Sequence, residues 1–295
     1  SIYPDCLPFL DTSPQASPGD KWTWPDGLSL IAQVFEESQY GDLKRTHFGP
    51  FRLIDLLEIR RSSSKPLAGY LVSSNSRISA DMLRVTVISS KGSWMNNYIP
   101  QLLYEASDLD CSLRWIHDHR QLQEGDICLL LSYGRIVSDE WLALNKHNLV
   151  VHASALPRGK GWSPMTWQII EGKSEIPITL FEADPELDAG EIYDQQTIEL
   201  SGLELSAEWQ QLQASVTLSL CIRWLADYPH SATLGKPQEG EESVYQRRTP
   251  QDSCLDPTCS LDELFPLLRV VDNQAYPAFF EIDGRRYKLS IVPWP

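Results

Sequence analysis

A chain of 295 residues that is 42% hydrophobic can bury one large core or two ordinary ones without disulfide or metal staples. It contains no run of about eighteen apolar residues, and SIYPDCLPFL at its start lacks the basic residues and apolar core of a signal peptide, so a soluble, cytoplasmic protein without a membrane partner is expected. Its 40 acidic against 25 basic residues give a formal net charge of −15, which disfavours a nucleic-acid partner whose binding must neutralise many phosphates.

Residues 1–80 carry no chemical motif. SPQASPGDKWTWPDG is loop-like, and GPFRLIDLLEIRRSSSKPLAGYLVSS holds two apolar runs split by a flexible SSSKP turn, so an extension or small additional domain is expected there. From Leu83, LRVTVISS reads as a strand, and WMNNYIPQLLYEAS has helical spacing through Tyr98, Leu102, Leu103 and Ala106. DCSLRWIHD follows as a second strand, and GDICLLLSYG is an apolar run bounded by glycines, as suits a strand buried on both faces of a parallel sheet. VSDEWLALN is a helix with Ser138 as its cap, and NLVVHAS is the next strand. SPMTWQIIEGK gives a helix capped by Ser163, begun by Pro164 and stopped near Gly172. IPITLFEA and GEIYDQQTIEL complete the sheet.

This alternation predicts an α/β domain with a mostly parallel twisted sheet. Beyond it, LSAEWQQLQASVTLSLCIRWLADY is a long amphipathic helix with Trp209, Leu212, Val216, Leu220 and Trp224 as a core stripe. HSATLGKPQEGEES is turn-rich, and AFFEIDGRRYKLSI reads as a hairpin turning at Asp283 and Gly284. The expected organisation is an extension over 1–80, a catalytic domain over 81–230 and a small C-terminal unit over 231–295. The six cysteines are scattered and read as reduced thiols, and only Cys254 and Cys259 lie close together. Neither that pair nor the HDH run at His117 to His119 completes a metal site, so no metal is expected.

Ligands of open α/β sheets bind at the carboxyl ends of strands, and His152 ends the strand NLVVHAS just before the irregular loop SALPRGKGW. Strand alternation points Asn148, Val150 and His152 the same way. A histidine there can simply cap its own loop, and an aspartate beside glycine, as Asp188 is in ELDAGEIY, is commonly a turn residue. Together they can form a base held by a carboxylate, suited to removing a proton from a nucleophile near neutral pH. No serine or cysteine stands in a G-x-S-x-G elbow, so covalent catalysis has little support.

The segments LLLSYGRIV, VVHASALPRGKGWSPMTWQIIEG, ITLFEADPELDAGEIY, QRRTPQDSCLD and LLRVVDNQAYPAFF resemble the folate-dependent formyltransferases. They are most similar to the N-formyltransferases of nucleotide-linked amino sugars, in the branch associated with pseudaminic acid biosynthesis. The resemblance runs from about Leu83 to the C-terminus and implies a Rossmann-like domain using N10-formyltetrahydrofolate as cosubstrate. His152 matches the family's catalytic histidine and Asp188 its catalytic aspartate. Ser132, Tyr133, Gly134, Arg135 and Ile136 match the segment whose backbone holds the pteridine. The family usually carries asparagine two residues before the histidine. Here Val150 stands in that place, and Asn148 lies roughly 7 Å further back along the strand.

The implied reaction is formyl transfer to the primary amine of a UDP- or dTDP-linked 4-amino-dideoxy sugar, a step toward surface polysaccharide. The oxyanion donor would be protonated His152, Asn148 brought forward by a bulge, or backbone N–H groups of Ala153 to Leu156. Trp94, Met95 and Asn96, with Lys160, Gly161 and Trp162, are candidates to line the acceptor's pocket. Tyr276 and Phe279 resemble an aromatic motif that stacks on a nucleotide base, with core packing as the competing reading. Initiator methionyl-tRNA is the rival acceptor, against which the acidic charge argues. A different amine, as on a siderophore precursor or a peptide, would keep the catalytic pair and change only the pocket. A non-catalytic folate or nucleotide-sugar binding protein would use the same cleft without turnover. A homodimer is compatible with this reading.

Overall fold

Four strands run parallel: β1 (Leu83–Ile88), β2 (Cys111–Ile116), β3 (Ile127–Leu130) and β4 (His147–His152). They alternate with α1 (Ile99–Ala106) and the short α2 (Asp139–Leu142). After a two-residue strand, β5 (Lys160–Gly161), and α3 (Pro164–Ile170), two longer strands extend the sheet: β6 (Glu175–Glu182) and β7 (Ile192–Glu199). The order is β2-β1-β3-β4-β6-β7, and both β4·β6 and β6·β7 are antiparallel. The computed structural model describes residues 82–274 and 276–294, so the expected extension over 1–80 lies outside the described residues.

The apolar runs become buried strands because both faces are covered. In β1, Val85 and Val87 face a large core that also takes Ile127, Leu129 and Leu149, whereas Ile88, Cys128 and Leu130 face a second core with Val137. Each fully buried aliphatic side chain contributes roughly 1.5–3 kcal/mol, so neither face can slip register by one residue. On β4 the same alternation puts Leu149 in the large core, while Val150 packs against the second and Asn148 and His152 share its side.

The large face is covered by α4 (Ser206–Ala226), and its buried residues differ from the expected stripe. Trp209, Leu220 and Trp224 are buried as expected, together with Ala214, Leu218, Cys221 and Leu225, but Leu212 is 38% exposed. The reason is that α4 packs on two sides, against the sheet and, through the Trp209 indole donating to the Arg269 carbonyl (3.0 Å), against the C-terminal segment.

Other local expectations shift too. The pattern from Trp94 splits into a 3₁₀ turn over Trp94–Asn97 and then α1, where Pro100 sits in the first turn. Ser138 and Ser163 precede α2 and α3 but make no capping hydrogen bond, Ser163 because its backbone is left-handed (φ 52°).

The C-terminal residues build a satellite core from Leu255, Leu268, Val271 and Ala278. It uses α5 (Leu261–Leu268) and the hairpin β9 (Ala278–Ile282) and β10 (Arg285–Leu289), turned by Asp283 (φ 51°) and Gly284 (φ 76°). Before it, β8 (Val244–Tyr245) pairs with β5. The five cysteines among the described residues are free, and burial pushes the Cys221 thiol up to about 12. Among those residues no helix is long and apolar enough to cross a membrane.

A buried ion pair ties the satellite to the sheet domain. Arg269 donates from Nη2 to the Glu204 carboxylate (2.8 Å) and from Nε to the Glu204 carbonyl (2.9 Å), with side chains 7% and 17% exposed. Burial disfavours the Glu204 carboxylate, but hydrogen bonds from Ser201 and Gly202 outweigh it and lower its pKa from the ordinary 4.5 to about 2. Removing one partner of a buried pair strands the other, so Arg269→Ala is expected to cost about 3–5 kcal/mol in urea unfolding at pH 7, and a loss below about 1 kcal/mol would contradict this. Because the folded pKa is depressed, the Glu204 contribution is full above pH 4.5 and fades as pH falls toward 2. Glu204→Gln should flatten the loss of stability across that window, and an unchanged acid limb would contradict this.

Candidate active site

In the order β2-β1-β3, the chain leaves β1 in opposite directions, so a crevice opens beyond the carboxyl ends of β1 and β3. A cavity of about 1030 Å³ occupies this edge of the sheet.

One wall is the turn after β1, with Ser90, Ser93, Trp94, Met95 and Asn97. Asn96 itself does not line the cavity. It is buried beneath this turn, donating to the carbonyls of Ser90 (3.1 Å) and Lys91 (2.9 Å) and accepting from the Ser89 hydroxyl (2.6 Å). The floor is the loop after β3, where Ser132, Tyr133, Gly134, Arg135 and Ile136 all line the cavity. Ser132 is left-handed (φ 51°), and the Gly134 N–H donates to the Ser90 hydroxyl (3.0 Å), fastening floor to wall. The Tyr133 hydroxyl is held by His119 (2.8 Å) and Arg135 by Asp118 (3.4 Å). The backbone N–H groups of Tyr133, Arg135 and Ile136 make no hydrogen bond to the described residues and so remain free for a ligand.

The third wall carries His152 and Asp188. His152, 8% exposed, packs edge-on against Phe181 and lies 2.8 Å from the Gly159 carbonyl through Nε2. A carbonyl only accepts, so Nε2 carries a proton in this state. The Asp188 carboxylate lies 3.9 Å from the same Nε2 and accepts from the Gly161 N–H (2.8 Å), while the Asp188 carbonyl accepts from Gln238 (2.8 Å). Asp188 does not arrive from a strand end on this edge. Because β6 runs antiparallel to β4, its carboxyl end lies beside Leu149, and loop 183–191 carries Asp188 back to His152.

Gly159 (φ 74°) and Gly161 (φ 95°) are both required by close approach. A Cβ at Gly159 would stand 2.9 Å from Ser154 and Tyr245 atoms, and one at Gly161 would strike the Tyr245 carbonyl. Three of the five left-handed non-glycine residues among those described, Ser132, Ser163 and Asp188, line this cavity, where backbone strain of about 1 kcal/mol or more each is commonly stored.

The remaining candidates separate. Gly161, Trp162 and Tyr276 line the cavity. Lys160 does not: it is buried and paired with Glu242 at 2.6 Å. Phe279 is also absent from the lining and lies under the Arg286 guanidinium. Asn148 is held away from the cavity, its amide donating to the Leu142 carbonyl (2.9 Å), and Val150 lines the wall instead. Gln210, Gln213, Arg247 and Arg248 also line the cavity: the arginines belong to the segment QRRTPQDSCLD, which by itself gives them no site role, and packing of α4 and of the segment after β8 decides the place of all four. Among the described residues no group of three His, Cys, Asp or Glu could hold a metal ion.

Residues 76–215 match the family model described as formyl transferase. A methionyl-tRNA formyltransferase from Mycoplasma capricolum is 24% identical over 177 residues, 59% of this chain and 56% of that protein. The chain thus spans about half the length of the curated relatives it matches. Among solved structures, a methionyl-tRNA formyltransferase from Clostridium thermocellum superposes with a TM-score of 0.62 at 21% identity, covering 72% of this chain and 94% of that one. A sugar N-formyltransferase from a Shewanella species does so with a TM-score of 0.54 at 16% identity, covering 71% and 97%. At these identities the superpositions speak for the fold. The matched segment runs from before β1 into α4 and takes in the whole sheet, so residues 76–215 match a formyl transferase domain.

Proposed function

We propose that this chain transfers a formyl group from N10-formyltetrahydrofolate to the primary amine of a nucleotide-linked amino sugar. The observation that carries the reading is the buried His152 and Asp188 pair, 3.9 Å apart on the wall of a cavity within a formyl transferase domain. The folate fits the residues present: the floor loop Ser132 to Ile136 offers free backbone donors beside a volume of about 1030 Å³. When bound, N10-formyltetrahydrofolate supplies the electrophilic formyl carbon.

The chain's own residues orient the groups and handle the proton. Asp188, fixed by the Gly161 N–H, presents its carboxylate to His152. His152 takes up the proton lost by the attacking amine and returns one to the leaving nitrogen, so no net proton is consumed. While protonated it stands beside the developing oxyanion, together with backbone N–H groups of loop 153–156. Asn148 is held by Leu142 and takes no part in this scheme. Phe181, Val150 and Met165 exclude water from that wall.

A nucleotide-linked sugar is favoured over tRNA by charge, since a chain of net −15 presents little to the many phosphates of a tRNA. The placement in a surface-polysaccharide pathway, and a cytoplasmic setting, follow from that acceptor.

The direct test is incubation of the full chain with N10-formyltetrahydrofolate and a panel of UDP- and dTDP-amino sugars plus charged initiator tRNA, reading the mass gain of a formyl group. Formylation of the tRNA alone would overturn the acceptor assignment. His152→Ala and Asp188→Ala should each lower kcat by about 10²–10⁴-fold in a protein that remains folded, and near wild-type turnover in either would remove it from the machinery. Asn148→Ala should keep most of the activity while losing about 1 kcal/mol of stability with its hydrogen bond to Leu142, and a collapse of kcat would bring it back as the oxyanion donor.

A further inference from the structure

We propose that Arg247 and Arg248 form an anion clamp on the cavity that grips the diphosphate of a nucleoside-diphosphate acceptor. This rests on the reading of the acceptor as nucleotide-linked and assigns the residues that recognise it.

Both side chains line the cavity that holds His152 and Asp188. Neither forms an ion pair among the described residues, unlike Arg135, the other arginine of the lining, which pairs with Asp118 at 3.4 Å. Two adjacent guanidiniums with no carboxylate in ion-pair contact face a cavity in a chain of net charge −15, and their charge is left largely unbalanced there.

Arg248 is fixed in place. Its guanidinium lies 5.8 Å from the centre of the Trp167 ring, and Nη2 donates to the Asp252 carbonyl (3.1 Å) and the Ser253 hydroxyl (3.4 Å). Trp167 is itself held, its indole donating to the Gln246 carbonyl (2.8 Å) and its ring stacked on Tyr245 at 13° between planes. The Nε of Arg248 is enclosed with no hydrogen-bond partner among the described residues, and Nη1 makes no bond there either. Burial disfavours the charge, and attraction to Asp252 only partly offsets it. A desolvated cation with idle donors is an unfavourable arrangement that a bound anion relieves, and the planar fork of arginine matches phosphate oxygens.

The neighbouring group extends the match. The Ser253 hydroxyl that accepts from Arg248 also reaches the Tyr276 carbonyl (3.5 Å), and Tyr276, 45% exposed, lines the cavity with an open aromatic face. A paired cation next to an aromatic platform is the chemistry of a diphosphate joined to a nucleoside. Two guanidiniums balance the charge of one diphosphate, whereas a tRNA requires many more.

The test is a titration of the full chain with UDP, dTDP and inorganic pyrophosphate, followed by calorimetry at low and physiological salt, for the wild type and Arg247→Gln, Arg248→Gln and Arg248→Lys. The wild type should bind at least one nucleoside diphosphate, more weakly at higher salt. Arg248→Gln should weaken binding by about tenfold or more, and Arg248→Lys, which keeps the charge but loses the fork, by less. Thermal unfolding checks that each variant is folded, and Arg247→Gln repeats the test at the more exposed partner. Absence of nucleoside-diphosphate binding by the wild type would overturn the clamp. So would wild-type affinity in folded Arg247→Gln and Arg248→Gln. Formylation of a nucleotide-linked amino sugar with unchanged KM in Arg248→Gln removes the clamp and leaves the proposed function standing. Formylation confined to charged tRNA removes the acceptor reading, and the clamp falls with it.

Discussion

The loop that follows β4 must fold back over the end of its own strand, and the site depends on that return. The Gly159 carbonyl meets His152 at 2.8 Å and the Gly161 N–H meets Asp188 at 2.8 Å, so one stretch of backbone positions both members of the proposed acid–base pair. The return is possible because residues 159 and 161 are glycines with positive φ, and it is clamped from outside by the pairing of β5 with β8. Lys160 contributes from beneath, buried and paired with Glu242. A side chain at either glycine would push Tyr245 outward and separate histidine from aspartate.

The same logic applies across the cavity. Asn96 holds the turn after β1 from below, and Ser90 joins that turn to the floor loop through Gly134. Backbone donors therefore stand ready in a polar but preorganised surface, with no side-chain motion needed to expose them. The wall and floor loops come from the parallel half of the sheet, whereas Asp188 comes from a loop of the antiparallel half and the arginines come from the segment after β8. A cavity assembled from three such sources suits a reaction between two substrates.

Much of this was legible in the chain. The apolar runs of β1 and β3, the helix α4, the hairpin turn at Asp283 and Gly284 and the position of His152 at a strand end follow from local periodicity and turn chemistry. What local pattern does not contain is strand direction and depth. IPITLFEA reads the same whether parallel or antiparallel, so the route by which Asp188 reaches His152 depends on the long-range pairing of β6 with β4. Asn96 and Asn97 are adjacent and identical in type, and only the turn's geometry puts Asn97 at the cavity and Asn96 beneath it. Lysine is usually an exposed residue, and nothing near Lys160 in sequence announces Glu242 as its buried partner. Arg247 and Arg248 stand in the segment QRRTPQDSCLD, and only Trp167 and the cavity give them a place.

The central claim is that formyl donor and acceptor amine meet at His152 and Asp188 in a single cavity. A crystal structure of the full chain soaked with tetrahydrofolate and a nucleoside diphosphate tests it most directly. The account predicts the pteridine against the backbone of Ser132 to Ile136, the nucleotide at Tyr276 and the arginine pair, and the folate N10 facing His152. Folate bound elsewhere, or an N10 position out of reach of His152, would contradict it.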